Sequence, residues 1–191
     1  ALMGIDPFDQ PNVAESKDNT KRLLAQFAAT GKLPERNLLV KQREWVEALS
    51  GLLKRVKPGD YVALQAYLEK TPGAERVLRA IRKELRDALG VAVTVGYGPR
   101  FLHSTGQFHK GGANNGVFIQ ITADVVKDVA IPGEPYTFGT LIRAQAVGDL
   151  QALRSHKRRA VRIHLGEDVK GGLRQLQKAV HKAVAASHKA R

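Results

Sequence analysis

Apolar residues recur along this chain at two spacings, and the spacing switches as the chain advances. Between Thr71 and Gly90, the residues Val77, Leu78, Ile81, Leu85 and Leu89 fall on one face of a 3.6-residue period. That pattern predicts a helix, opened by Thr71-Pro72-Gly73 and closed by Gly90. The same period predicts a helix from Val13 to Thr30, with Leu23, Leu24 and Phe27 on its apolar face and Gly31 ending it. Further helices are predicted from Glu44 to Val56 (Trp45, Leu49, Leu52, Leu53), from Thr137 to about Lys157 (Phe138, Leu141, Ala144, Val147, Leu150), and from Val169 to about Ala186. Between them stand short runs rich in β-branched residues: YVALQAYL, VAVTV, GVFIQIT and AVRIHLG. Each reads as a strand, VAVTV as a buried one. Strands alternating with helices predict an α/β layered sandwich with a mostly parallel sheet and helices on both faces.

A length of 191 residues accommodates one such domain plus an arm. Prolines at positions 7 and 11 hold the chain irregular until about Asn12, so residues 1–40 are expected as a helical arm and 41–191 as the α/β domain. The chain has no cysteine, which excludes disulfides, thiolate zinc sites and cysteine nucleophiles and fits a reducing cytoplasm. No apolar run approaches the roughly 20 residues that span a bilayer. A formal charge of +13 favours anionic partners. The basic clusters at 156–159 and 178–191 lack interleaved aromatics, so they form no stacking platform, which disfavours nucleic acid. Basic helix ends complementing the helix dipole are the simpler reading.

The candidate chemistry concentrates in YGPRFLHSTGQFHKGGANNG, residues 97–116. A polar, glycine-rich segment directly after a strand is where open α/β folds hold ligands. His103 is suited to proton transfer near neutral pH; the alternative is a histidine that bonds a backbone carbonyl beneath the loop. His103 and His109 lie six residues apart with no carboxylate or thiol to complete a set, so no metal is expected. Ser104, Thr105 and Gly106 can cradle a phosphate at a helix start, with Arg100 and Lys110 supplying charge, or can simply cap that helix. No P-loop, dinucleotide fingerprint or nucleophile elbow is present. Lys17, a helical lysine outside any local motif of charge or chemistry, reads by itself as a solvated surface group.

Two segments resemble glucose-6-phosphate isomerases, and more narrowly the end of the fused transaldolase/phosphoglucose isomerase proteins of bacteria. GIDPFDQPNVAESK resembles the signature near the end of ordinary isomerases, whose final lysine falls on Lys17. LHSTGQFHKGG resembles a second isomerase motif, whose ring-opening histidine falls on His103. HKGGANNGVFIQI and the later YTFG are similar to bacterial isomerase segments. The resemblance implies a sugar-isomerase-like fold. It also implies interconversion of glucose 6-phosphate and fructose 6-phosphate through an enediol, with no metal or organic cofactor. Lys17 and His103 are then expected to assist ring opening, and Arg100, Ser104, Thr105, Gln107, His109 and Lys110 to hold the sugar phosphate. Here the histidine motif follows the lysine motif, the reverse of the family's order, and the family's proton-shuttling glutamate has no counterpart. The chain is therefore expected to be a C-terminal part, inactive alone, with the remainder of the parent chain as its partner. A non-catalytic sugar-phosphate-binding or oligomerisation domain, with a homo-oligomer as its assembly, is the alternative reading.

Overall fold

The computed structural model describes residues 9–34 and 42–188. The sequence segment 1–8, which holds the first half of the lysine signature, lies outside the described residues. Helices α1 (Pro11–Thr30) and α2 (Gln42–Leu53) precede β1 (Tyr61–Tyr67), α3 (Pro72–Leu89) and β2 (Ala92–Tyr97). A single 3₁₀ turn (Arg100–Leu102) then leads into α4 (Ser104–Gly111), β3 (Gly116–Thr122), α5 (Phe138–Ser155), β4 (Arg159–His164) and α6 (Val169–His188). The four strands form one all-parallel sheet in the order β2-β1-β3-β4, so the chain is an α/β layered sandwich.

The signals that start and stop these helices are the ones the sequence carries. Thr71 accepts a hydrogen bond from the Ala74 amide at 3.1 Å, with Pro72 in the first turn, and Gly90 ends α3 in the left-handed conformation at φ 65°. Thr137 caps α5 in the same way, through the Thr140 amide. α1 begins at Pro11, slightly ahead of the expected start, because proline fits the first helical position, where its missing N–H has no partner to lose.

The connection β1–α3–β2 runs one way along the sheet, and β2–α4–β3 runs back across β1. Right-handed crossovers of opposite sense put their helices on opposite faces. Accordingly α2, α3 and α6 pack together on one face, while α1, α4 and α5 pack on the other. The first face holds the main core. Val62 and Leu64 of β1 and Val117, Ile119 and Ile121 of β3 meet Trp45, Leu49, Leu78, Ile81 and Val180 there.

The second face is different. Alternate residues point to it, and register places Gln65, Gln120 and Arg162 side by side, with Tyr67, Thr122 and His164 in the next row. All but His164 are buried. Polar groups buried this way need partners, and the helices on this face supply some: the Gln120 amide donates to the Ala146 carbonyl of α5 at 3.0 Å.

Two expectations change. VAVTV, read as a buried strand, becomes β2 at the sheet's edge, with Ala92 and Thr94 exposed. An apolar β-branched run fits either position, and only the strand order decides. α1, expected as an arm, lies along α5 and against α4, burying Val13, Ser16, Thr20 and Leu23. Gly148 of α5 permits that approach: a Cβ there would stand 3.0 Å from Thr20 Oγ1.

Candidate functional site

The stretch 97–116 is folded rather than open. After β2 the chain passes a cis Gly98–Pro99 bond and makes the 3₁₀ turn, which buries Phe101 and Leu102. His103 follows in extended conformation as the residue before α4. Its carbonyl accepts the amides of Gly106 at 2.8 Å and Gln107 at 3.2 Å. The turn therefore consumes the Gly106 amide that a phosphate cradle would have used, and leaves the Ser104 and Thr105 hydroxyls. Arg100, His103, Ser104 and Thr105 are exposed, and their side chains have no partner among the described residues.

The other three candidates from this stretch are committed to packing, which corrects the expectation that they stand free for a ligand. Gln107 is paired with α1: its Oε1 accepts the Asn12 amide at 2.9 Å, and its Nε2 donates to Asn12 Oδ1 at 2.8 Å. His109 is buried among Tyr61, Phe101 and Phe118, and Tyr61 Oη lies 2.8 Å from its Nδ1. Burial, helped by the charge of Lys110, lowers the His109 pKa to about 4, and burial raises that of Tyr61 to about 12. Both are neutral at pH 7, so the contact is a hydrogen bond between an uncharged phenol and an uncharged imidazole.

Lys110 is 1% exposed, with Nζ 2.6 Å from Asp149 Oδ1 of α5, itself 0% exposed. It also donates to the Phe101 carbonyl at 3.0 Å. Burial holds the Asp149 carboxyl above its ordinary value, and Lys110 and the Tyr67 hydroxyl offset only part of that rise. Arg158 closes the end of α4 by donating to the carbonyls of Lys110 and Gly112.

His109 gives a pH prediction. In the unfolded chain it takes up a proton near pH 6.5, and in the folded chain only near 4. Between those values the unfolded state binds the extra proton, so acid weakens the fold, and stability is full above about 6.5. The group is expected to remove about 3 kcal/mol as pH falls from 7 to 4. Denaturation midpoints across that range should show the slope in the native chain and lose this part of it in His109→Phe.

The exposed Lys17 lies on α1, whose first turns are fixed to α4 and α5. Besides the Asn12–Gln107 pair, Glu15 accepts from Ser155 Oγ at 2.8 Å and lies 2.7 Å from His156 Nε2. Burial pushes the Glu15 carboxyl up, but hydrogen bonds from His156, Ser155 and Asn12 outweigh it and hold the carboxyl below its usual range. The segment carrying Lys17 and the segment carrying His103 are thus clamped together, 95 positions apart in sequence at the Asn12–Gln107 contact.

Two hollows flank this junction. One, about 750 Å³, wraps the free edge of β2, with Arg100 and Thr105 on one wall and Arg79 and Arg82 of α3 on the other. The second, about 550 Å³, lies at the carboxyl ends of β1 and β3 and is lined by Glu69, Asp124, Lys127 and Glu167. This is the crevice where the strand order reverses, the usual ligand position in an open α/β sheet. Beside it His164 is held between Thr122 Oγ1 (3.1 Å from Nδ1) and Asp124 Oδ1 (3.3 Å from Nε2). Reading the sequence for histidines and glycines missed these residues. Their signal was position: Glu69, Asp124 and Glu167 each come within three residues of a strand's end. Arg79 and Arg82 were marked by lying off the apolar stripe of α3. No group of three or more His, Cys, Asp or Glu suited to a metal occurs among the described residues, and no described helix is long and apolar enough to cross a membrane.

No protein-family model matches the chain, and no curated protein matches it. Among solved structures it is similar to a chain from Thermus thermophilus described as hypothetical protein TT0462. The TM-score is 0.61 at 15% sequence identity, over 91% of this chain and 44% of that one. The likeness is one of fold, and this chain spans less than half of that neighbour's length.

Proposed function

We propose that the chain is the C-terminal part of a glucose-6-phosphate isomerase, interconverting glucose 6-phosphate and fructose 6-phosphate through an enediol. The observation that supports this reading is the reciprocal Asn12–Gln107 pair. It seats the segment resembling the isomerase lysine signature against the segment resembling the histidine signature, two stretches with no reason to meet on grounds of chain proximity. In this reading Lys17 and His103 assist ring opening, and the exposed Arg100, Ser104 and Thr105 hold the sugar phosphate. The glutamate that moves the proton between C1 and C2 comes from the remainder of a longer protein, so the 191-residue chain alone turns over nothing.

His103→Ala in the longer parent is the test. The side chain is exposed and without a partner among the described residues, so stability should change by less than about 0.5 kcal/mol. Loss of a positioned acid-base group should lower kcat about 10²-fold or more. Unchanged turnover overturns the role of His103. A second reading, a non-catalytic sugar-phosphate-binding or association domain, is favoured by the commitment of Gln107, His109 and Lys110 to packing. It predicts that deleting the residues beyond 40 leaves the parent's turnover intact but alters its assembly or its response to sugar phosphate.

A further inference from the structure

Among the described residues, β2 is an edge strand without the usual protection. Edge strands are normally guarded by a charged residue, a proline or a bulge, because their unpaired backbone groups template further pairing. AVTVGY carries no charge and no proline. Its register with β1 runs unbroken from Tyr61↔Ala92 to Ala66↔Tyr97, so it has no bulge. The Gly98 amide donates to the Ala66 carbonyl, so the even-numbered residues of β2 turn their backbone groups toward β1. By strand alternation, the N–H and C=O groups of Val93, Val95 and Tyr97 point outward.

The surroundings specify what fits there. On the second face, the floor beside β2 is apolar, and Phe108 stands 58% exposed next to Tyr61, ring centroids 5.5 Å apart. The rim is basic: Lys70, Arg79 and Arg82 on one side and Arg100 on the other, with Glu75 as the acid among them. Glu75 lies 3.4 Å from Lys70 and 3.6 Å from Arg79, while Arg82 and Arg100 have no ion-pair partner among the described residues. A second copy pairing β2 with β2 would set these cations against their own images, a like-charge juxtaposition that opposes association.

We propose that the free edge of β2 is a docking site for an extended, carboxylate-bearing segment of a partner protein, which adds as a fifth strand. Its backbone bonds Val93, Val95 and Tyr97. Side chains on one face of the added strand cover Phe108 and the apolar floor. Its carboxylates meet Arg82 and Arg100, so a docked segment and a sugar phosphate compete for Arg100. Main-chain pairing gives such a contact its affinity, and the alternating side chains give it selectivity.

The test uses the 191-residue chain and two capped heptapeptides, one alternating valine with glutamate and one alternating valine with lysine. Amide hydrogen exchange and fluorescence anisotropy are read at low salt. The glutamate peptide is expected to saturate and to slow exchange at Val93, Val95 and Tyr97 about tenfold or more, leaving Val62 and Leu64 as they were. The lysine peptide should bind at least about tenfold more weakly, and the exposed pair Arg82→Glu with Arg100→Glu should reverse the preference. No protection at millimolar glutamate peptide overturns the proposal, as does equal binding of both peptides. Edge protection in the free chain that grows with protein concentration also overturns it, because a second copy would then be the occupant.

Discussion

Asp149→Ala is expected to destabilise the chain by about 3–5 kcal/mol, the cost of stranding one member of a buried ion pair. The alanine removes the carboxylate 2.6 Å from Lys110 Nζ and leaves an ammonium that is 1% exposed. Only the Phe101 carbonyl still faces it, and a neutral carbonyl offsets little of the cost of keeping a charge from water. Lys110→Met should be milder. Burial already pushes the Asp149 carboxyl toward its protonated form, so the orphaned acid can take up a proton, more completely as pH falls. The double variant, with an apolar side chain facing a methyl, should recover much of the loss. A double-mutant cycle from denaturant midpoints checks all three. Equal losses in both single variants, with no recovery in the double, would show that the pair is not coupled as its geometry requires.

The ion pair also shows where the sequence was legible and where it was not. Periodicity was readable because burial imposes it. The stripe of α3 buries Leu78, Ile81 and Leu85, β1 and β3 are buried almost throughout, and Thr71, Gly90 and Thr137 act as the caps their chemistry suits them for. Such local rules fix elements, and alternation of elements fixes the α/β class. Strand order is not local, which is why an apolar run that reads as interior becomes an exposed edge.

The candidate site was legible only in part for a related reason. Gln107, His109 and Lys110 have the chemistry of ligand-binding groups, and nothing in their spacing shows that Asn12, Tyr61 and Asp149 wait for them across the fold. The second face of the sheet is built with polar residues at interior positions, Gln65, Gln120 and Arg162 in one row. On the same face the lysine of α4 finds Asp149 of α5, and its histidine finds the Tyr61 hydroxyl among aromatic rings, instead of solvent. Asp149 in the middle of the apolar α5 was the available hint, since a carboxylate among residues that pack needs a cation. Gln107 had a comparable hint in Asn12, a small amide at the start of a helix, but only the docking of α1 reveals the match.

Gly106→Ala should cost more than the about 1–3 kcal/mol usual for an added methylene in a packed interior. Gly106 is buried in the first turn of α4. A methyl there would overlap the Phe101 carbonyl oxygen and stand 2.7 Å from Lys110 Nζ. Neither neighbour can yield easily. The carbonyl belongs to backbone whose side chain is packed against Tyr67, ring centroids 5.9 Å apart, and the ammonium is held by Asp149. The glycine is required by this close approach, not by its backbone angles, since a helical residue tolerates any side chain sterically free to fit. The strain should pass to both ends of α4. At one end it moves His103, whose carbonyl accepts the Gly106 amide at 2.8 Å; at the other it loosens the Gln107–Asn12 clamp and with it α1. Hydrogen exchange should therefore rise in α4 and in the first turns of α1 together, while the main core under α2, α3 and α6 keeps its protection. Exchange that rose evenly over the whole chain would show that α4 and α1 do not form a separable unit. Unchanged exchange with native stability would show that the 3₁₀ turn can move aside, and that the packing of Lys110 against Phe101 does not constrain the segment carrying His103.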